Sequence, residues 1–247
     1  MMACFPLVGA VTGFLYAAWF IVEFYVMCVM QKTVSARFFA LGFTLIPVIV
    51  TGGIHIDGLM DTCDALGSHA PLEKKLEILK DSHSGAFAVI GCVIYFLSYF
   101  VFSCELCDYY FDAESSHKFI NFFSRFMNFI PICFVFFMSR LLSAFAVATF
   151  PIAKNSGLVH TFSTASARKF TAIWCAVWFV LVSVFMICFF GIQGTAITSI
   201  SLAVFAAYYF TAKRNFGGIT GDTAGAFVQI CELSNMLVFV ILLRLYM

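Results

Sequence analysis

The chain has 247 residues, of which 62% are hydrophobic and only 11% are charged, and its mean hydropathy is +0.99. Soluble domains carry about 45–50% apolar and about 25% charged residues, so this composition excludes an ordinary soluble protein and indicates an integral membrane protein. The formal net charge of +1 provides no basic field that would attract nucleic acid, so we expect the lipid bilayer and not a nucleic acid as a partner.

Long apolar segments alternate with short polar ones and predict transmembrane helices, each of which needs about 20 mostly apolar residues. The candidate spans are 3–30, 37–53, 85–103, 119–150, 170–190, 195–211 and 224–246. Pro131 is expected to divide the fourth segment into an interfacial part, which contains Arg125, and a spanning part. The first segment is interpreted as a span and not as a signal peptide, because no basic region precedes it. The sequence thus predicts one all-α domain over residues 1–247, a polytopic bundle with about seven transmembrane helices.

Basic residues predict which side of the membrane each loop faces. The loops after the second, fourth and sixth spans hold Lys74, Lys75, Lys80, Lys154, Arg168, Lys169, Lys213 and Arg214. Because cytoplasmic loops carry an excess of lysine and arginine, we expect these three loops to face the cytoplasm. The opposite face holds fewer basic residues and an acidic stretch over 105–114. A site formed by the three loops would therefore face the cytoplasm.

Three aspartates follow the second span, in the stretch GGIHIDGLMDTCDALG over residues 52–67. Asp57, Asp61 and Asp64 are spaced i, i+4 and i+7, so on a helix they share one face. Like charges this close repel each other unless a cation lies among them, and Mg²⁺ is typically held by one or two carboxylates together with substrate phosphates. The pattern favours a metal site over a solvated charged loop. His55 is interpreted as structural or substrate-facing.

A short amphipathic helix is predicted between the aspartates and the third span. Leu72, Leu76 and Leu79 recur at helical spacing, which is typical of a helix on the membrane interface. Asp81 and Ser82 end this helix just before Gly85. The carboxylate of Asp81 could return from there to the aspartate cluster.

The last polar loop, KRNFGGITGDTAGA, concentrates glycine ahead of an apolar helix. Gly217, Gly218 and Gly221 carry no side chains at a point where free N–H groups and the helix dipole favour phosphate. Asp222 has two interpretations, as the cap of that helix or as a metal ligand that faces the phosphate. A plain loop between two spans is the alternative to a phosphate site.

Arg140 lies inside the fourth apolar segment, where an arginine is costly and indicates a functional site or a side chain that snorkels to the surface. Guanidinium and ammonium groups offer donors to phosphate. Carboxylates, glycine turns and cations on one face of a membrane bundle are together typical of metal-dependent phosphoryl transfer on a lipid-associated or bulky amphipathic substrate.

Three segments resemble the signature blocks of one enzyme family, adenosylcobinamide-GDP ribazoletransferase, also called cobalamin synthase. In chain order they are GGIHIDGLMDTCDALG, LEILKDSHSGAFAVIG and GGITGDTAGAFVQICE. FPLVGAVTGF near the start and SRLLSAFAVATFPIAKNSGLVHTF in the middle are similar to the same family, so the resemblance covers nearly the whole chain. Members usually begin some tens of residues earlier, so this chain is expected to be truncated or to start late. Many members have an arginine at the position of His83.

The resemblance implies a Mg²⁺-dependent enzyme of a bacterial or archaeal cytoplasmic (inner) membrane. A hydroxyl of α-ribazole, or of its 5′-phosphate, would attack the cobinamide-side phosphate of adenosylcobinamide-GDP, forming adenosylcobalamin or its 5′-phosphate and releasing GMP. By matching positions, Asp57, Asp61, Asp64 and Asp81 would hold or surround the metal. Asp222 would bind the metal or activate the attacking hydroxyl.

The same matching implies a set of groups that contact substrate. Gly217, Gly218, Thr220 and Gly221 would hold a phosphate, Arg140 and Lys154 would neutralise charge, and His55, Ser82 and His83 would face substrate. A second copy of the chain and other enzymes of cobalamin assembly stay open as partners.

Two other classes of protein stay open. A CDP-alcohol phosphotransferase-like enzyme also places aspartates at a membrane face, but its Asp-Gly-x-x-Ala-Arg spacing is missing, since Met60, Asp61 and Thr62 follow DGL. A cation or proton transporter would explain acids near a membrane. Transporters usually place such acids near the bilayer midplane, whereas these lie in predicted loops.

Overall fold

The computed structural model describes residues 2–30, 34–111, 122–153 and 165–245. Across these ranges the chain is almost entirely helical and holds no β-strand, which confirms the all-α prediction. The helices are α1 (Phe5–Phe24), α2 (Ala36–Thr51), α3 (Ile54–Gly67), α4 (Leu72–Ile78), α5 (Ala86–Phe111), α6 (Phe122–Thr149), α7 (Ala165–Phe216) and α8 (Gly221–Leu245). A short 3₁₀ turn precedes α1, and a π-helical turn over Tyr25–Val29 continues it.

Within the described residues, five helices are long and apolar enough to cross a membrane, namely α1, α5, α6, α7 and α8, and the bent pair α2–α3 makes a sixth if it is counted as one span. The protein is therefore a multi-pass membrane protein. α7 has 52 residues and breaks at Gly191, where φ is 52°. Gly194 then lies against the backbone of Met186, so the two arms of α7 fold back beside each other. These arms correspond to the predicted spans 170–190 and 195–211, and the total of seven stays a prediction.

The prediction that Pro131 divides the fourth segment is wrong. α6 runs without a break through Pro131, which is buried inside the bundle. Membrane helices tolerate proline because neighbouring helices satisfy the freed backbone groups. Pro131 leaves the carbonyl of Met127 without its helical donor, and the adjacent carbonyl, of Asn128, accepts a hydrogen bond from the hydroxyl of Tyr110 at 2.9 Å, so α5 packs against this turn of α6. Arg125 lies in the same helix and donates to the carbonyl of Tyr110 at 2.6 Å.

α6 is the central helix, and α1 packs closely along it. Gly9 and Gly13 of α1 face the backbone of α6 so tightly that a side chain at either position would clash with a carbonyl oxygen. Aromatic rings fill the space around this contact: Phe129 stacks on Phe20, with ring centroids 4.4 Å apart. The large apolar side chains that point outward, such as Phe14 and Ile94, are exposed, as expected of a surface that faces lipid.

The polar segments gather at one end of the bundle. α2 ends there at Gly52 and Gly53, whose positive φ angles of 61° and 79° let the chain turn by 92° into α3. The predicted amphipathic helix is present as α4. A two-residue bridge between Ile152 and Ile219 joins the exit of α6 to the entry of α8. The described parts of all three polar loops therefore meet at this end.

Candidate active site at the α3–α8 contact

Four carboxylates converge where α3 meets the start of α8. Asp57, Asp64 and Asp222 all lie close enough to Asp61 to act on its charge, and each of them disfavours ionisation of Asp61. Asp57 is exposed, while Asp61, Asp64 and Asp222 are partly buried. The predicted aspartate face is therefore real, and Asp222 joins it from a distant part of the chain.

Two glycines bring α3 and α8 together. A Cβ atom on Gly58 would lie 2.7 Å from the carbonyl oxygen of Asp222, which is too close for any side chain. A Cβ on Gly225 would lie 3.3 Å from the Cα of His55. The backbone of α8 can approach α3 only because both positions lack side chains, and this approach places Asp222 beside the α3 aspartates.

Asp64 has a second function that the sequence did not reveal. Its Oδ1 accepts a hydrogen bond from the backbone N–H of Ala88 at 2.9 Å, and its Oδ2 accepts one from the N–H of Gly85. A carboxylate that accepts the first free N–H groups of a helix stabilises that helix end. Asp64 thus anchors the start of α5, and a Cβ on Gly85 would lie 2.7 Å from both oxygens, so a side chain there would displace this carboxylate.

Asp81 does not reach the acid cluster in this structure. Its carboxylate accepts hydrogen bonds from the backbone N–H of His83 at 3.0 Å and from the His83 ring at 2.8 Å. These bonds lower the pKa of Asp81, and Lys74 adds a further favourable charge. Ser82 and His83 are exposed beside it, with 90% of the His83 side chain accessible.

The oxygen atoms of the acid cluster are suitable ligands for Mg²⁺, but the described side chains do not form a complete coordination site. Among the described side chains, no group of three His, Cys, Asp or Glu residues stands in a metal-binding arrangement. All four acids offer oxygen, the ligand that Mg²⁺ prefers, and this ion usually keeps several waters and binds through one or two carboxylates plus phosphates. Asp57 and Asp61, which are not engaged as a helix anchor, are the side chains best suited to hold it.

The glycine turn before α8 is built by close backbone contacts. Gly217 has a φ of 70°, and a Cβ on Gly218 would lie 2.5 Å from the carbonyl oxygen of Pro151. The N–H of Ile219 donates to that oxygen at 2.8 Å, and Ile219 accepts from Ala153 at 3.0 Å. These bonds hold the turn that leads into the N-terminus of α8, and Gly221 has open space around it.

The start of α8 is capped by two threonines. The N–H of Thr220 donates to Thr223 Oγ1 at 2.9 Å, and the N–H of Thr223 donates to Thr220 Oγ1 at 3.1 Å. Asp222 lies in the first turn of α8, between these two threonines. Thr220 is therefore a buried capping residue. Asp222 lies at this cap and also faces the α3 aspartates, so its two interpretations are compatible.

Arg140 lies deep in the bundle and away from the solvent-facing aspartates. Its side chain is fully buried, so it does not snorkel, and it forms an ion pair with Glu232 of α8. Arg140 also donates to the carbonyl of Phe136 at 3.0 Å and to Ser139 Oγ at 3.2 Å. Ser139 in turn donates to Glu232 at 3.0 Å. Arg140 thus neutralises a buried carboxylate within the protein.

Glu232 and Gln229 were missed by sequence reasoning. Both are buried on α8, and Gln229 accepts a hydrogen bond from the hydroxyl of Tyr95. An ionisable residue inside an apolar run is a functional hypothesis by default, so Glu232 could have been found from its position. His55, which is also buried, lies within electrostatic range of Arg140. Lys154 lies outside the described residues.

A multi-pass helical bundle with a carboxylate-lined site and a glycine turn at one end is the architecture of a membrane-embedded transferase for phosphorylated substrates. The chain belongs to the cobalamin-5-phosphate synthase family, whose model matches residues 1–240. This assignment sets aside the CDP-alcohol phosphotransferase and transporter alternatives.

Relatives named adenosylcobinamide-GDP ribazoletransferase are similar to this chain over nearly its whole length. The relative from Lachnoclostridium phytofermentans is 37% identical over 237 residues, which cover 96% of this chain and 82% of the relative. The relative from Desulfitobacterium hafniense is 32% identical, with 94% and 83% covered. The relative from Fusobacterium nucleatum is 27% identical, with 98% and 87% covered. No solved structure matches the chain.

Proposed function

We propose that the protein is an adenosylcobinamide-GDP ribazoletransferase whose reaction takes place at the α3–α8 contact and requires Mg²⁺. The family and the names of the relatives support the joining of adenosylcobinamide-GDP with α-ribazole, or its 5′-phosphate, to give the cobalamin product and GMP. The observation that carries the location of the site is the close contact of Gly58 with the backbone of Asp222, which brings Asp222 to the α3 helix that holds Asp57, Asp61 and Asp64.

The reaction transfers a phosphoryl group from one oxygen to another. A ribose hydroxyl of the acceptor forms a bond to the cobinamide-side phosphorus, and the bond from this phosphorus to the bridging oxygen breaks. GMP leaves with the electron pair, and the hydroxyl proton is released. When bound, Mg²⁺ offsets negative charge on the diphosphate.

The chain's own residues then have separate tasks. Asp57 and Asp61 would hold the ion, and Asp64 keeps α5 against α3 while adding negative charge nearby. Asp222 accepts the proton of the attacking hydroxyl, because its partly buried carboxylate faces the cluster from the other helix. Positioning and electrostatic stabilisation account for most of the catalysis of phosphoryl transfer, so these tasks are sufficient.

The glycine turn binds a phosphate of the donor. Gly221 has open space around it at the entry of α8, while Gly217 and Gly218 form the tight turn that precedes it, and a helix N-terminus favours an anion. Ser82 and His83, exposed at the start of α5, are candidates for outer contacts with the donor, as is Lys154. The excess of lysine on this end of the bundle supports a cytoplasmic orientation in an inner membrane.

The test is a GMP-release assay with purified protein in lipid, adenosylcobinamide-GDP, α-ribazole and Mg²⁺. We expect release that depends on both ribazole and the ion, that stops with a chelator and that returns when Mg²⁺ is restored. GMP release that continues in excess chelator would show that the reaction does not require Mg²⁺. Absence of ribazole-dependent release from a folded sample would remove the activity.

A further inference from the structure

A cavity of about 700 Å³ opens at the polar end of the bundle, next to the glycine turn. It is lined by Leu72, Glu73, Leu76, Glu77, Lys80, Ile152, Phe216 and Gly217. Its volume lies in the range of small-molecule sites, roughly 300–1,000 Å³. None of the proposed tasks in catalysis uses this cavity, apart from the phosphate contact at Gly217.

The cavity lies next to elements of the candidate active site. Gly217 belongs both to its wall and to the turn that leads to Asp222, and it lies in van der Waals contact range of Leu72. On the other side, Leu76 packs against the small cluster of Ala65, Leu79 and Phe216, and Ala65 directly follows Asp64. A ligand in the cavity would therefore have the glycine turn at one edge and the aspartate helix behind the α4 wall.

α4 is held firmly as a wall of the cavity. Lys75 Nζ donates to Asn215 Oδ1 at 2.7 Å, which ties the middle of α4 to the end of α7. The backbone bridge between Ile152 and Ile219 fixes the opposite side. Two rigid sides make the cavity a formed site with a defined width.

The lining combines apolar walls with a charged rim. Leu72, Leu76, Ile152 and Phe216 provide the apolar surface. Glu73 and Glu77 stand at the rim, where carboxylates accept hydrogen bonds from sugar hydroxyls. Glu77 also pairs with Lys74 at 2.9 Å, so the charges of Glu73, Glu77, Lys74 and Lys80 balance, and the rim has no excess positive charge that would select a diphosphate. A corrinoid macrocycle is also poorly suited to a cavity that is bounded on two sides by fixed backbone.

We propose that this cavity is the binding site of the acceptor nucleoside, α-ribazole. Its flat aromatic base lies between the leucines of α4 and Ile152, and its ribose lies at the carboxylate rim with the reacting hydroxyl directed to the Gly217 edge. This inference rests on the proposed function, because it assigns one of the two substrates of that reaction to a separate pocket.

A substitution that fills the cavity tests the assignment. Leu72→Trp places a larger side chain in the pocket, and Pro71→Trp places the same side chain one residue earlier, at an exposed position that does not line it. We expect Leu72→Trp to raise the KM for α-ribazole by about tenfold or more, a change of about 1.4 kcal/mol in binding, with the KM for adenosylcobinamide-GDP unchanged. Pro71→Trp should leave both KM values near those of the wild type.

Direct binding of α-ribazole to the protein without donor or Mg²⁺ separates this inference from the activity. Titration calorimetry should show binding to the wild type and to Pro71→Trp, and binding weakened about tenfold or more in Leu72→Trp. This measurement stands even if no GMP release is found, which would overturn only the proposed reaction. Leu72→Trp with unchanged affinity, or with a raised KM for the donor alone, would overturn the acceptor assignment.

Discussion

Arg140 of α6 and Glu232 of α8 form an ion pair in which the side chains are 0% and 1% exposed. Atoms Nε and Nη2 of Arg140 and Oε2 of Glu232 have no hydrogen-bond partner among the described residues, so each charge depends mainly on the other. The pair joins the central helix to the helix that begins at Asp222. Since Glu232 follows Asp222 by ten residues, it lies about 15 Å further along α8.

We expect Glu232→Ala to destabilise the protein strongly, because it leaves the guanidinium of Arg140 buried without a counter-charge. Removal of one partner of a buried pair costs about 3–5 kcal/mol of unfolding free energy, which unfolding in mild detergent would measure. Glu105→Ala is the matched control: its pair with Arg244 is about half exposed, and such pairs contribute about 0–1 kcal/mol. Equal stability of the two variants would contradict the buried pair.

Asp61→Asn should lower turnover and preserve the fold. Three neighbouring carboxylates repel the charge of Asp61, so removal of this charge relieves repulsion in the metal-free protein. Loss of support for an ion that offsets phosphoryl charge should cost about 10²-fold or more in rate. The measurements are GMP release at saturating Mg²⁺ and thermal unfolding. A variant that keeps more than about a tenth of normal turnover would show that Asp61 does not hold the metal.

Asp64→Ala should differ from Asp61→Ala in stability. Asp64 accepts hydrogen bonds from the N–H groups of Gly85 and Ala88, and loss of such a helix cap costs about 0.5–2 kcal/mol. Hydrogen exchange of the first turn of α5 should become faster in Asp64→Ala and stay unchanged in Asp61→Ala. Identical exchange in both variants would mean that Asp64 does not anchor α5.

Single cysteines at the two ends of the bundle should report the orientation. Ser68 is exposed after α3, and Thr195 is exposed beside the turn between the arms of α7. In cells, with the exposed Cys4 and Cys188 replaced by serine, an impermeant maleimide should label Thr195→Cys from outside and Ser68→Cys only after lysis. Labelling of Ser68→Cys in intact cells would place the acid cluster outside the cytoplasm.

Local patterns in the sequence were sufficient to predict α4 and the shared face of the α3 aspartates. Both depend on helical spacing, which side chains within two turns of each other set without help from the rest of the chain. The same reasoning was wrong at Pro131, because a proline breaks an isolated helix while packing against α5 supports this one.

The partners of individual charges were decided only by packing. The resemblance to the family implied that Asp81 holds or surrounds the metal, whereas the structure pairs it with His83, because the turn between α4 and α5 directs it toward solvent. Arg140 was correctly recognised as unusual. Its counter-charge, Glu232 on α8, was not predictable, since a buried arginine needs an acidic partner but its sequence position does not specify which acidic residue that is.

Composition by itself determined that this chain is a helical membrane protein, because so apolar a sequence must satisfy its backbone hydrogen bonds within helices when it is surrounded by lipid. The order of its motifs indicated the family. Only the tertiary structure placed Asp222 beside Asp61 and showed that Asp64 accepts hydrogen bonds from the start of α5. The physical reason is that Gly58 and Gly225 allow α3 and α8 to approach within van der Waals contact, and such contacts between distant segments depend on the packing of the whole bundle.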